Sequence, residues 1–301
     1  MGDAKLLRKR LFARYAGNLR VIDPSSAGAF RCPLCLKDFT AKDVHSKLCL
    51  AHIFPQGAGG SEVTLACQSC DSLHGSSLDA DLVESVRVER PGSKQRGRIV
   101  AGGRSIPILV SADPDDETIR LDASIRHAHP TDWTGIQDFF AAAGDGSKFQ
   151  LSVTSKVRPT RMRGSLYRSA YLRLFSMFGY DYVLAPCAQV ARENIERAAL
   201  GEVSVTVCSS DARAESVAIV TAPTALRSLA VTMKVSGQRF ATALLPGFDR
   251  DPRAVADRMC ESPRIVKGVQ TKVFEAPPDV FADPKNARLL SGIWRLLFKT
   301  G

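Results

Sequence analysis

Residues 30–79 read FRCPLCLKDFTAKDVHSKLCLAHIFPQGAGGSEVTLACQSCDSLHGSSLD, and this stretch decides how the chain is organised. It is rich in cysteine and histidine and contains the pair Gly59-Gly60. It is also too short to bury a hydrophobic core of its own. A segment of this kind needs metal or disulfide cross-links to stay folded, so its cysteines are the first feature to interpret.

Two Cys-x-x-Cys pairs lie in the stretch, Cys32 with Cys35 and Cys67 with Cys70. Two intervening residues let both thiolates of a pair face one ion, and two such pairs complete the tetrahedral sulfur shell of structural zinc. The chain has eight cysteines, and the other four are scattered, which is typical of buried thiols rather than a disulfide framework. The sequence therefore predicts one structural Zn²⁺ held by these four residues.

Composition and charge limit the class of protein. The 301 residues are 45% hydrophobic, which is enough for a full core. No stretch approaches the roughly eighteen apolar residues of a membrane helix, and the basic N-terminus lacks the apolar segment of a secretory signal. These features predict a cytoplasmic protein without a membrane partner. The net charge of +10 favours a polyanionic partner, because cations that neutralise phosphates release condensed counterions.

Three regions follow from the change of character along the chain. Residues 1–24 form a basic N-terminal arm or helix, and residues 25–85 form the zinc finger. Residues 86–301 form an accessory domain for substrate recognition, with short β-like runs separated by Gly, Pro and Asp. The predicted fold class is therefore α+β, with a zinc-stapled finger followed by a mixed domain of helices and antiparallel strands.

The accessory domain shows helical and alternating patterns in turn. Apolar spacing predicts a helix over 161–179, ended by Gly179, and a second helix over about 187–200. Another amphipathic helix is predicted over about 284–298. Alternation predicts strands at 98–100, 106–110, 118–121, 149–153, 203–208, 215–221, 228–235 and 239–245.

The order of motifs in residues 30–79 resembles the HNH endonuclease family, which has a ββα-metal finger. The shared order is Cys-x-x-Cys, then His-Ile-Phe-Pro at 52–55, Gly-Gly, Cys-x-x-Cys-Asp, and Gly-Ser-x-Leu-Asp at 75–79. The resemblance covers this finger alone. It implies a metal-dependent nuclease that hydrolyses nucleic-acid phosphodiester bonds, with DNA as the expected substrate and RNA as the alternative.

The same resemblance implies roles for individual residues. In the family, the His that follows a β-strand is the general base, and the residue after the second Cys-x-x-Cys binds a divalent ion. His52 is thus the expected base, and Asp71 the expected ligand of Mg²⁺ or Mn²⁺. His74 follows Asp71 by three residues, hence on nearly the same helix face, where it would ligate the metal or touch a phosphate. A surface histidine is the alternative interpretation of His74.

This sequence also departs from the family pattern. Members commonly have a metal-binding side chain just before the base, where this chain has Ala51. The residue after the second Cys-x-x-Cys is usually Asn, where this chain has Asp71, whose carboxylate is the stronger ligand for Mg²⁺ or Mn²⁺ and could partly compensate. Thr64 stands in the region of the family's central Asn, and a hydroxyl replaces only one of the hydrogen bonds of an amide. Asp79 is expected to tether the end of the helix or to support the metal ligands, with an ordinary surface Asp as the alternative.

Arginines around the predicted helix 161–179 are the candidates for phosphate contacts. Arg161, Arg163 and Arg168 could follow a nucleic-acid backbone, while the interleaved aromatic residues have core spacing. Two other functions stay open. One is a non-catalytic zinc-containing nucleic-acid-binding module derived from an HNH nuclease, and the other is a structural zinc ribbon in an interaction scaffold.

Overall fold

The computed structural model describes most of the first 247 residues and one later strand. The described residues are 2–26, 28–88, 94–113, 118–123, 129–142, 150–153, 157–202, 205, 207–210, 212–222, 228–236, 239–247 and 270–274. The chain divides into two compact units, which group residues 1–83 with 158–301 and leave residues 84–157 as the second unit. The predicted regions 1–24, 25–85 and 86–301 follow sequence character, whereas in the structure residues 1–83, which include most of the finger, share one unit with residues 158–301.

The first unit begins with a long helix followed by the cysteine-rich segment. Its elements, in chain order, are α1 (Gly2–Ile22), β1 (Phe30–Arg31), β2 (Asp38–Phe39), β3 (Leu48–His52), β4 (Val63–Cys67), α2 (Gln68–His74) and α3 (Ala80–Val88). One turn of π-helix, Gly75–Asp79, joins α2 to α3. The strands β1 and β2 form one antiparallel hairpin, and β3 and β4 form another.

The second unit is a small antiparallel sheet with one helix. It contains β5 (Gln95–Ala101), β6 (Arg104–Asp113), β7 (Thr118–Ala123), α4 (Pro130–Ala142) and β8 (Gln150–Val153), and the strand order is β7-β6-β5-β8. Its core contains four isoleucines, with Trp133 and Val110 packed against them: Ile99, Ile106, Ile108 and Ile136. The sequence patterns predicted the four strands and their antiparallel arrangement but not α4.

The chain then returns to the first unit with three helices and a five-stranded sheet. These are α5 (Pro159–Phe178), α6 (Tyr180–Val183), α7 (Pro186–Leu200), β9 (Val207–Ser210), β10 (Ser216–Ala222), β11 (Ser228–Ser236), β12 (Arg239–Leu245) and β13 (Gln270–Phe274). The sheet is antiparallel with the order β13-β10-β11-β12-β9. Helix α5 packs against its strands β11 and β12 and against α7.

Helices α1 and α5 form the interior of the first unit. One face of α1 is buried at helical spacing through Leu11, Phe12, Tyr15 and Leu19. The ring of Tyr15 stacks on Phe175 of α5, with centroids 4.3 Å apart. Burial is continuous over residues 164–172 of α5, so this helix is surrounded by protein there.

The α+β class and the cluster of cysteines are confirmed in this coarser form. The predicted helices 161–179 and 187–200 match α5 and α7, and Gly179 ends α5 with φ of +57°. The helix predicted over 284–298 lies outside the described residues, as does part of the strand predicted over 203–208. None of the described helices is long and apolar enough to cross a membrane.

Candidate functional site

The side chains of Cys32, Cys35, Cys67 and Cys70 come together in one cluster. Their four Sγ atoms all lie within 4.8 Å of one another, and Sγ of Cys35 is 3.7 Å from Sγ of Cys67. Four Zn–S bonds of about 2.3 Å in a tetrahedron separate sulfur atoms by about 3.8 Å, whereas a disulfide needs about 2.05 Å. The cluster thus lies at metal-binding distance and suggests a structural metal such as zinc.

The thiols of the cluster influence one another's ionisation. Hydrogen bonds from the neighbouring thiols, that of Cys32 first, lower the pKa of Cys67, so a thiolate forms most readily there. Cys49 lies on the adjacent strand but outside the cluster. Burial, together with the charge of Asp71, raises the pKa of the Cys49 thiol to about 12, so this residue stays a neutral thiol.

Tyrosines of α5 and α6 hold the first cysteine pair in place. The hydroxyl of Tyr171 donates a 2.7 Å hydrogen bond to the carbonyl of Pro33, between the two cysteines. The hydroxyl of Tyr180 accepts from the amide of Arg31 at 2.9 Å and donates to the carbonyl of the same residue. The backbone around the first cysteine pair is therefore bonded to helices that are distant in sequence.

The hairpin β3–β4 carries His52 at its open end. In the register of the strands Ala51 lies opposite Thr64, and His52 lies opposite Val63. The connection turns back sharply at Gly60, whose amide donates to the carbonyl of Pro55. A Cβ on Gly60 would lie 1.9 Å from the carbonyl oxygen of Phe54, so only glycine fits there.

A pocket of about 290 Å³ opens at the end of this hairpin. His52, Asp71 and Asp79 line it, and they come from β3, α2 and the π-helical turn. The rest of the lining comes from the loop after β3, the π-helical turn and the start of α3: Pro55, Gln56, Gly57, Gly75, Ala80 and Val83. One histidine and two aspartates thus line the same open space.

Arg168 of α5 binds both carboxylates of this pocket from inside the protein. Its Nη2 lies 3.1 Å from Oδ1 of Asp71, and its Nη1 lies 3.0 Å from Oδ2 of Asp79, although the Arg168 side chain has 0% exposure. Ser165 donates a 2.6 Å hydrogen bond to Oδ1 of Asp79. Burial raises the pKa of Asp79, while Arg168 and then Ser165 act against that rise.

Close packing of α5 brings Arg168 to the pocket. A Cβ on Gly164 would lie 2.8 Å from Cβ of Ala198 and 2.9 Å from Cδ2 of Leu78. Glycine at this position therefore allows α5 to approach the π-helical turn, which carries both Leu78 and Asp79.

The structure brings His52 and Asp71 together but places His74 differently. His74 is buried and is not among the residues that line the pocket. Burial lowers the pKa of His74 to about 4, and the charge of Arg168 acts in the same direction, so the ring is neutral at pH 7. His74 therefore belongs to the buried interior and not to the lining of the pocket.

Two of the positions that depart from the family pattern, Ala51 and Thr64, lie in the interior. Ala51 and Thr64 are both fully buried on one face of the hairpin. The Thr64 hydroxyl shares a 2.7 Å hydrogen bond with the hydroxyl of Tyr15, so it ties the hairpin to α1. A metal-binding side chain could not be added at Ala51 without burying it in this region.

The three arginines predicted to bind phosphates have different environments. Arg163 is exposed and Arg161 is half-buried, whereas Arg168 is fully buried and bonded to carboxylates. A guanidinium in that position is not open to a phosphate. The sequence did not predict this role of Arg168. The signal that it offered was the position of Arg168 among core residues of α5, which is buried on all sides there.

In comparisons with known proteins, no family model matches the chain, and no curated protein or solved structure matches it either.

Proposed function

We propose that this protein is a metal-dependent HNH-type nuclease that hydrolyses phosphodiester bonds of nucleic acid, with DNA as the expected substrate and RNA as the alternative. The observation that carries the proposal is the convergence of His52 and Asp71 on one open pocket. They arrive there from the end of a β-hairpin and from the helix that follows it, an arrangement that resembles a ββα-metal finger. The four-cysteine cluster supports the proposal as a candidate site for a structural metal.

His52 is the general base of the proposed reaction. An imidazole accepts protons at neutral pH, and His52 is half-buried and lines the pocket, where a water molecule could reach it. His52 would take the proton of that water as the water attacks phosphorus. Among the histidines that the structure describes, only His52 lines this pocket.

Asp71 fits the role of ligand for a divalent cation. Its side chain is 36% exposed, and Arg168 engages only one of its carboxylate oxygens among the described contacts. Mg²⁺ is commonly held by one or two carboxylates together with substrate phosphates, which matches one accessible carboxylate in an open pocket. A bound Mg²⁺ or Mn²⁺ would polarise the scissile phosphate and stabilise the leaving oxygen.

One observation favours a second candidate, a non-catalytic nucleic-acid-binding module. Arg168 already neutralises part of the charge of Asp71 and Asp79, and Ala51 offers no ligand. Within the described residues, the four cysteines are the one place where three or more potential ligand atoms gather closely. A divalent ion in the pocket would therefore depend on the substrate for much of its coordination.

A plasmid-nicking assay distinguishes the two candidates. Supercoiled DNA is incubated with the protein in Mg²⁺, in Mn²⁺, and in EDTA for a time too short to remove the structural metal, which is checked by metal analysis. The nuclease proposal expects nicked product in Mg²⁺ or Mn²⁺ and none in EDTA. Binding to DNA in gel-shift experiments without any nicking would favour the binding module.

Exposed cations of α1 form the surface that we expect to bind the substrate backbone. Lys5, Lys9, Arg10 and Arg20 are exposed, and they make no ion pair with the part of the chain that the structure describes. The same helix contacts β3 and β4. The charge of Arg8 on this helix acts to lower the pKa of Cys49, a residue that also interacts with Asp71. A polyanion on α1 would therefore lie near the hairpin that carries His52.

Replacing Lys5, Lys9 and Arg10 together by glutamine should weaken DNA binding for all sequences alike. The slope of log K against log salt should flatten by about one for each phosphate that the variant no longer neutralises. Fluorescence anisotropy over a salt series measures this, with Arg161→Gln/Arg163→Gln as the comparison on α5. An unchanged slope in the α1 variant, with a flattened slope in the α5 variant, would place the backbone on α5 instead.

A further inference from the structure

The guanidinium of Arg168 is unusual among the arginines of α5. It is fully buried, it bonds one oxygen of Asp71 and one of Asp79, and its Nε has no hydrogen-bond partner among the described residues. Arg173, the next arginine along the helix, forms an ion pair with Glu62 at the surface. A buried charge is costly unless it is fully paired, so the position of Arg168 depends on the two carboxylates of the pocket.

We infer that Arg168 is a positioning residue of the pocket. It fixes Asp71 so that one carboxylate oxygen faces the space for the substrate, and its charge limits metal binding at Asp71 before the substrate arrives. The inference rests on the proposed function and goes beyond it. Arg168 lies on α5, outside the finger, so the finger alone would lack this part of the site.

Hydrogen-bond geometry supports the positioning of Asp71 by Arg168. The Nη2 contact occupies Oδ1 of Asp71, and the anchor at Asp79 prevents the guanidinium from following Asp71 if that side chain rotates. Ser165 fixes Asp79 in turn through its other oxygen. The rotation of Asp71 is thereby restricted, while its side chain remains 36% exposed at the pocket.

The charge of Arg168 supports its effect on metal binding. Two carboxylates and one guanidinium leave a single net negative charge around the pocket, and the guanidinium repels a divalent cation that approaches Asp71. The negative phosphate of a substrate compensates for this repulsion. Metal and substrate should therefore bind cooperatively, each raising the affinity of the other.

The test uses Arg168→Gln and Arg168→Lys in the full chain, with Arg173→Gln as the matched control on the same helix. Glutamine removes the charge, whereas lysine keeps it but cannot bridge both carboxylates as a planar fork does. Mn²⁺ affinity without DNA is measured by electron paramagnetic resonance, and cleavage is measured at saturating Mn²⁺. Zinc content and thermal unfolding report the fold.

Arg168→Gln should bind Mn²⁺ about tenfold more tightly while its cleavage rate at saturating Mn²⁺ falls about 10- to 100-fold. Arg168→Lys should lose a similar part of the rate with little change in Mn²⁺ affinity, and Arg173→Gln should change neither. A purely structural role would lower affinity, rate and melting temperature together. A parallel loss of affinity, rate and melting temperature would overturn the inference, and so would normal cleavage by Arg168→Lys. If Arg168→Gln does not fold, the cleavage rate and Mn²⁺ affinity of Arg168→Lys decide the question.

The outcome also separates this inference from the proposed function. Tighter Mn²⁺ binding by Arg168→Gln without cleavage by any protein would support the role of Arg168 and contradict the nuclease. Normal cleavage in both Arg168 variants would contradict the role of Arg168 and leave the nuclease intact. No Mn²⁺ binding and no cleavage by the wild type would contradict both.

Discussion

The His52→Ala protein is expected to lose cleavage by about 10²- to 10⁴-fold, which is the contribution of a general base. His52 lies at the last position of β3 and lines the pocket with Asp71. Its removal should leave the hairpin intact, because the β3–β4 pairing uses backbone groups. The rate of plasmid nicking at saturating Mn²⁺ measures the effect, with zinc content and gel-shift affinity expected to equal those of the wild type.

His45→Ala is the matched control for this prediction. His45 belongs to the same cysteine-rich segment but is exposed and does not line the pocket. It should cleave at the wild-type rate. Cleavage by a folded His52→Ala protein at the rate of the His45→Ala protein would place the base elsewhere and would favour the binding-module interpretation.

Cys70→Ala is expected to unfold the finger. Metal binding in structural zinc sites contributes about 10–16 kcal/mol in zinc-finger peptides, which is comparable to the whole stability of an ordinary domain. Cys70 lies on α2, one residue before Asp71, so loss of the cluster should also disorder the pocket. Elemental analysis should find no stoichiometric zinc, and hydrogen exchange should show reduced protection in β3, β4 and α2.

Cys49→Ala is the control for the cysteine prediction. Cys49 lies on β3 between the paired cysteines, but the cluster does not include it. Its zinc content and hydrogen-exchange protection should match those of the wild type. A Cys70→Ala protein that keeps stoichiometric zinc and a protected hairpin would show that this cysteine is not needed for the metal.

Local patterns explain why much of the fold was predictable. The spacing of the cysteine pairs led to the cluster, because two intervening residues orient both side chains of a pair toward one point. Alternating residues predicted the strands β10 to β12 closely. Helical periodicity and a terminal glycine predicted α5, whose end at Gly179 requires a positive φ.

Interactions between distant segments explain what the sequence did not predict. Arg168 is 97 residues from Asp71 in sequence, and no local pattern indicates that pairing. The bond between Tyr15 and Thr64 likewise spans α1 and the hairpin. Helical spacing showed Arg168 in a helix with core residues, but it could not distinguish a phosphate-binding arginine from one that is paired with buried carboxylates.

The same long-range packing explains the position of His74. The spacing of three residues from Asp71 predicted that His74 lies on nearly the same helix face, and both residues do belong to one helix, α2. That face, however, continues into the interior, where α5 covers the π-helical extension of α2. Periodicity gives the direction of a side chain around its helix, while only the tertiary packing determines whether that direction leads to solvent.

Locating Mn²⁺ by anomalous diffraction is the most direct test of a hydrolytic metal site at His52 and Asp71. Crystals of the His52→Ala protein with a short DNA duplex and Mn²⁺ would be measured at the manganese and zinc absorption edges. We expect a zinc peak among the four cysteines and a separate manganese peak at the carboxylate of Asp71, in contact with a phosphate of the duplex. DNA bound in the pocket without manganese at Asp71, or manganese bound only elsewhere, would contradict the account.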